Sequence, residues 1–144
     1  MANIGAYRDL REECLIIRKN VEEKINILFP SEGIFPTILN NLFFDSLIFL
    51  DYDKVCISDE FAINPECLRL KKDISVLDFN MPIYQIRSIF TEDAKIAYTT
   101  HFDTFFTMLC SDKKTVEKIV TKYNFEGFYC DENTTVYWHD QNKI

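Results

Sequence analysis

The sequence predicts an α+β domain with a mainly antiparallel sheet, a long N-terminal helix and a C-terminal strand-helix-strand-strand unit. Three observations carry this. Apolar residues before Pro30 recur at spacings of three and four. Short β-rich runs fill the middle of the chain. Near the C-terminus a polar-capped helical stretch sits between alternating segments. The 144 residues, 47% hydrophobic and 15% aromatic, suffice for one domain (1–144) with a real core. Such aromatic content is incompatible with a disordered chain. Three Gly and four Pro argue against a loop-rich or repeat-built fold.

The first element is a helix over Ile4 to Phe29. Tyr7, Leu10, Cys14, Ile17, Val21, Ile25 and Leu28 form one apolar stripe, Asn3 is placed to cap it and Pro30 stops it. Five basic and five acidic residues before position 30 mark the other face as solvated. The stripe is expected to cover the domain's own core; a dimer seam is the alternative.

"PSEGIFP" is a turn-rich connection to a second helix that starts near Pro36 and runs to about Asp45. Ile38, Leu39, Leu42 and Phe43 then face inward. Leu47 to Leu50 and Lys54 to Ile57 read as two strands joined at Asp51-Tyr52-Asp53, although the helix could instead continue to Leu50. Ile74 to Phe79 is a further strand, "IYQIRSIF" a strand or short helix, and "KIAYTT" and "DTFFTMLCSD" are strands.

Ser111 or Asp112 caps the helix "KKTVEKIVTKYN", whose inner face is Val116, Ile119, Val120 and Tyr123. Gly127 stands near its end. "GFYCD" and "TTVYWHD" follow as strands around the turn Glu132-Asn133. In that hairpin Phe128, Cys130, Val136 and Trp138 share an apolar face, and Tyr137 and His139 point the other way.

The stretch "GFYCDENTTVYWHD" looks reactive, but this alternation makes Cys130 a core residue and sets His139 on the opposite face. The five cysteines, Cys14, Cys56, Cys67, Cys110 and Cys130, form no CxxC pair. An odd count with apolar neighbours favours buried thiols in a reducing compartment. "LDYDKVCISDE" offers Asp51, Asp53 and Asp59 like a calcium loop, but Cys56 and Ala62 stand where glycine and glutamate are required. No phosphate-cradling loop, GxSxG or HExxH occurs. No cofactor and no metal are expected. A small hydrolase built on His101, Asp103 and Cys110 is the catalytic alternative.

Charge is distributed unevenly. Of the net -7, residues 31–66 hold seven acids against Lys54 alone, and residues 125–144 hold four acids against Lys143. Residues 67–124 are slightly basic, with nine basic and seven acidic residues. Aromatics are interleaved with the acids: Tyr52, Phe61, Tyr129, Tyr137 and Trp138. An acidic, aromatic surface suits a basic protein partner and repels nucleic acid. The sequence thus predicts a non-catalytic protein-binding domain of the immunity or antitoxin type, one that neutralises a basic toxin, for instance a nuclease. Asp51, Tyr52, Asp53, Asp59, Glu60, Asp131, Glu132 and Tyr137 are the candidate contacts. The chain is expected to be a monomer or weak homodimer, a self-associating regulator being the third alternative. "MANIGAYRDLREEC" lacks the apolar core of a signal peptide and no apolar run approaches spanning length, so a cytoplasmic protein without membrane partners is expected.

Overall fold

The structure is a computed structural model that describes Ile16, Asn20, Lys24 and residues 33–36, 39–100 and 106–134. Ile16, Asn20 and Lys24 are helical and exposed at four-residue spacing. The rest of the expected N-terminal helix lies outside the described residues.

Helix α1 spans Asn40–Phe49. Leu47 to Leu50 is therefore not a strand: Leu47, Ile48 and Phe49 are the last turn of α1. Phe43, Phe44 and Leu47 are fully inside, as is Ser46, whose hydroxyl donates to the Phe43 carbonyl at 2.7 Å. With so broad a buried face the run shows little helical period, which is why sequence pattern favoured strands. The helix stops at Asp51, which adopts φ 63°, while the Asp51 and Tyr52 amides donate back to Ile48 and Leu47. That is the usual left-handed termination, here with aspartate in place of glycine.

Among the described residues five strands follow: β1 Lys54–Ser58, β2 Glu66–Arg69, β3 Ser88–Phe90, β4 Ala97–Thr100 and β5 Thr107–Cys110. They form one antiparallel sheet in the order β2-β1-β3-β4-β5. The expected strand over Ile74 to Phe79 is instead a turn of 3-10 helix, Val76–Asp78. Ser75 caps it, with the Leu77 amide on its hydroxyl and its own amide on the Asp78 carboxylate. A second such turn, Ile83–Gln85, leads into β3.

Helix α2, Lys113–Tyr123, begins at Asp112, whose carboxylate accepts the Thr115 amide at 3.0 Å. It ends at Asn124 in the left-handed region (φ 52°), not at Gly127, with the Phe125 amide returning to the Val120 carbonyl.

Pleat and register sort the side chains. Val55, Ile57, Ile89 and Tyr98 lie on one face of the sheet, are buried, and pack with Phe43, Phe44 and Leu47 of α1 and Ile119 of α2. The helices therefore cover that face. Tyr98 stacks on Phe43 at 4.4 Å between centroids, and the Tyr123 hydroxyl donates to the Asp45 carbonyl at 2.9 Å. Across the other face runs the row Cys67, Cys56, Phe90, Ala97, Cys110, one residue per strand.

Two expectations about cysteine fail here. Cys56 and Cys67 are joined in a disulfide across the β1–β2 pair, with Cα atoms 4.0 Å apart. The Leu70 amide bonds the Asp53 carbonyl, so alternation makes Cys56 and Cys67 a non-hydrogen-bonded pair, where opposing side chains come closest. Cys130 is not a core thiol. Residues 127–131 are irregular rather than a strand, and Phe128, Tyr129 and Cys130 are exposed. The turn at Glu132-Asn133 does form: the Asp131 carboxylate accepts the Asn133 amide and the Thr134 hydroxyl.

Candidate functional site

The sheet separates the predicted contact residues into several places. Asp51, Tyr52 and Asp53 precede β1. Asp51 and Asp53 are exposed, while Tyr52 is half-buried against the core. Backbone roles fix this trio, since Asp51 ends α1 and the Asp53 carbonyl accepts the Leu70 amide at 2.8 Å. Asp59 and Glu60 follow β1 at its opposite end. Five residues of strand separate the two groups, about 16 Å at 3.3 Å per residue. Asp131 and Glu132 occupy the exposed turn beyond α2. Tyr137 lies outside the described residues.

The catalytic alternative divides in the same way. His101 and Asp103 lie outside the described residues. Cys110 ends β5, with its thiol pKa raised first by burial and then by the neighbouring Cys130. That direction is opposite to the one an attacking thiolate needs. Among the described residues no three His, Cys, Asp or Glu side chains group as metal ligands.

The hairpin tip between β1 and β2, residues 59–65, has the most organised exposed chemistry. Asp59 starts it: its carboxylate accepts the Phe61 amide at 3.0 Å and its carbonyl the Ala62 amide at 3.3 Å. Ala62 (φ 52°) and Asn64 (φ 56°) are both left-handed without being glycine. Backbone cost of this kind, about 1–2 kcal/mol per residue, collects where structure serves recognition. Its effect is to hold two large apolar side chains in water: Phe61 is 69% and Ile63 65% exposed. Tyr84, 63% exposed, joins them at this end of the sheet. Arg87 fixes it there, donating its amide to the Ser58 carbonyl and its Nη1 to the Tyr84 carbonyl, both at 2.8 Å.

The tip is thus an apolar pair, Phe61 and Ile63, beside two carboxylates that carry no ion pair among the described residues. Sequence reading singled out Asp59 and Glu60 and noticed Phe61 but missed Ile63 and Tyr84. The signal for Ile63 was legible: "FAIN" is an apolar run in a turn closed by Pro65. Nothing local marks Tyr84, whose position depends on the pairing of β3 with β1. A second acid-aromatic group, Phe128 and Tyr129 before Asp131 and Glu132, lies after α2 in irregular chain.

No helix among the described residues is long and apolar enough to cross a membrane. A family model described as "Protein of unknown function (DUF2711)" matches residues 3–140. No curated protein and no solved structure matches the chain.

Proposed function

The chain belongs to the DUF2711 family of proteins of unknown function, and on that premise we propose that it is a non-catalytic acidic protein-binding domain. It acts by occupying a basic partner's surface, as an immunity or antitoxin-type inhibitor does to its toxin. The observation that carries this is the hairpin tip, where Phe61 and Ile63 stand in water on a backbone held out by Ala62 and Asn64, beside Asp59 and Glu60. Exposed aromatic and aliphatic anchors flanked by like charges match a binding hot spot with an electrostatic rim. The rim steers a cationic partner and the anchors fill an apolar pocket on it. A nuclease that offers a phosphate-binding cleft is one partner of this chemistry.

The proposal keeps a cytoplasmic site of action, where the Cys56–Cys67 bond would face reducing thiols. Alkylation of intact cells before lysis reads the state of that pair. Binding is tested by capture from the native host with the full chain and with the Asp59→Lys/Glu60→Lys and Phe61→Ser/Ile63→Ser variants, each checked for native circular dichroism. A basic protein should be retained by the native chain and lost by the apolar variant. The charge variant should associate more slowly, with a flatter dependence on salt. Equal retention by all three chains removes the tip from the proposal, and retention of no basic protein removes the proposal itself.

A further inference from the structure

Strand β2 is an edge of the sheet among the described residues, and its outer side is open. The hydrogen bond from the Leu70 amide to the Asp53 carbonyl sets the alternation along the β1–β2 pair. Glu66 and Leu68 therefore turn their backbone groups toward β1, and Cys67 and Arg69 turn theirs away from it. The outward amides and carbonyls of Cys67 and Arg69 have no hydrogen-bond partner among the described residues, and both residues are exposed. The Cys56–Cys67 disulfide ties this strand to β1, so the edge is ordered before anything meets it.

Negative charge stands at both ends of this edge. Asp59 and Glu60, without an ion pair among the described residues, lie at the tip end. At the other end Asp51, Asp53 and Asp73 are exposed, against Arg69 and Lys72. The remaining cations there are already engaged, Lys71 by Asp78 at 3.3 Å and Lys54 by Glu92 at 3.1 Å. Strand β5, the other edge among the described residues, leads instead into the lysines Lys113 and Lys114 at the start of α2.

We infer that β2 is the docking edge for an extended segment of a basic protein partner, which adds to the sheet as a strand. Its main chain hydrogen-bonds to Cys67 and Arg69, one lysine or arginine lies toward Asp59 and Glu60, and another toward Asp51 and Asp53. The inference rests on the protein-binding role proposed above and gives it a mode. The two acid groups are about 16 Å apart along β1, which about five extended residues span, so one segment reaches both. Main-chain bonds supply affinity and the charged ends supply register. Arg69 shares its face with Cys67, near the middle of the edge, so the centre of the segment carries no cation. A second copy is the poorer occupant. Pairing β2 with itself brings another Arg69 close to this one, and Pro65 next to the strand has no amide to donate.

The probe is the blocked peptide acetyl-Lys-Thr-Val-Thr-Val-Lys-amide at millimolar concentration, and the readout is residue-resolved amide hydrogen exchange of the full chain. The peptide should slow exchange at Cys67 and Arg69 by about tenfold or more and leave β3 and β4 unchanged. Arg69→Pro removes one outward amide and no β1–β2 hydrogen bond, and should weaken peptide binding by about tenfold, whereas Arg69→Ala should bind at least as well as the native chain. A peptide with glutamate at both ends should protect neither amide. The inference is overturned if the lysine peptide leaves Cys67 and Arg69 exchanging at their free rate, or if the glutamate peptide protects them equally. It is also overturned if concentrated chain alone slows them, which assigns the edge to a second copy. The measurement on the native chain decides even if Arg69→Pro folds poorly. The protein-binding role fails by a different result, the retention of no basic protein in the capture experiment.

Discussion

Tyr98 donates its hydroxyl proton to Ser46. The two oxygens are 2.5 Å apart, and the single proton of Ser46 is already committed to the Phe43 carbonyl at 2.7 Å. Only the phenol is left to act as donor. The pair is buried, separated by 52 residues in sequence, and ties α1 to β4 through the layer that also holds the Phe43–Tyr98 stack.

This donor order makes the two single substitutions unequal. Tyr98→Phe removes the donor, while Ser46 still has its own partner; about 1 kcal/mol of stability should be lost. Ser46→Ala leaves the phenol proton without an acceptor inside the core and should cost more, about 1–3 kcal/mol, despite deleting a single oxygen. Urea unfolding of the two variants checks the order.

The same phenol sets a pH dependence. Burial pushes the Tyr98 pKa up to about 12 from an ordinary 10.0. Its folded value lies above its unfolded one, so the stabilisation is complete below pH 10 and is lost as pH climbs toward 12. Tyr98→Phe should flatten that part of the stability curve. An unchanged slope in the variant would assign the alkaline loss to other groups.

The Cys56–Cys67 bond spans 11 residues of sequence. On the chain-entropy account, closing a loop of that size contributes up to about 3 kcal/mol. Cys56→Ala/Cys67→Ser should lower stability by no more than this. The local effect should be larger than the global one: β2 is an edge strand among the described residues, so its amides should exchange with deuterium much faster while those of β3 and β4 change little.

At the hairpin tip, Ala62→Gly and Ala62→Val should diverge. Glycine adopts the left-handed backbone freely, and the relief of strain roughly offsets its entropy, leaving stability within about 0.5 kcal/mol of native. A β-branched side chain at φ 52° is strained, and Ala62→Val should destabilise by about 1 kcal/mol or more. Thermal unfolding distinguishes them; equal midpoints would show that the tip does not hold this backbone.

At the start of α2, Asp112 has its pKa lowered by hydrogen bonds from Thr115, first the hydroxyl and then the amide. A depressed folded value gives stability that is complete above the ordinary value of 3.8 and lost as pH falls through the folded one. Asp112→Ala should lower the melting midpoint at pH 7 by a few degrees, roughly the cost of a lost cap. That difference from the native chain should shrink in strong acid.

How much was legible in sequence varied by element. Helix α2 announced itself, because Asp112, the spacing of Val116, Ile119 and Tyr123, and the polar residues between them are local signals. Strands β4 and β5 were legible as short β-rich runs. Helix α1 was not legible as a whole: with Phe43, Phe44, Ser46 and Leu47 all buried, its sequence carries no single stripe to count.

The candidate site shows the same limit. Composition identified acids and aromatics interleaved between Asp51 and Glu66, but a strand laid between Asp53 and Asp59 placed its two halves at opposite ends of the sheet. Tyr84 stands at the same end of the sheet as the tip only because Arg87 and Ser88 pair with Ser58. The chain by itself determined the α+β class, the N-terminal cap of α2 and where negative charge accumulates, since propensity, capping and charge act over a few neighbouring residues. Tertiary structure alone decided the Cys56–Cys67 bond, the exposure of Cys130 and the company kept by Phe61. The first and last depend on strand register and the second on whether residues 127–131 pair as a strand at all, and both are fixed by contacts between residues far apart in sequence.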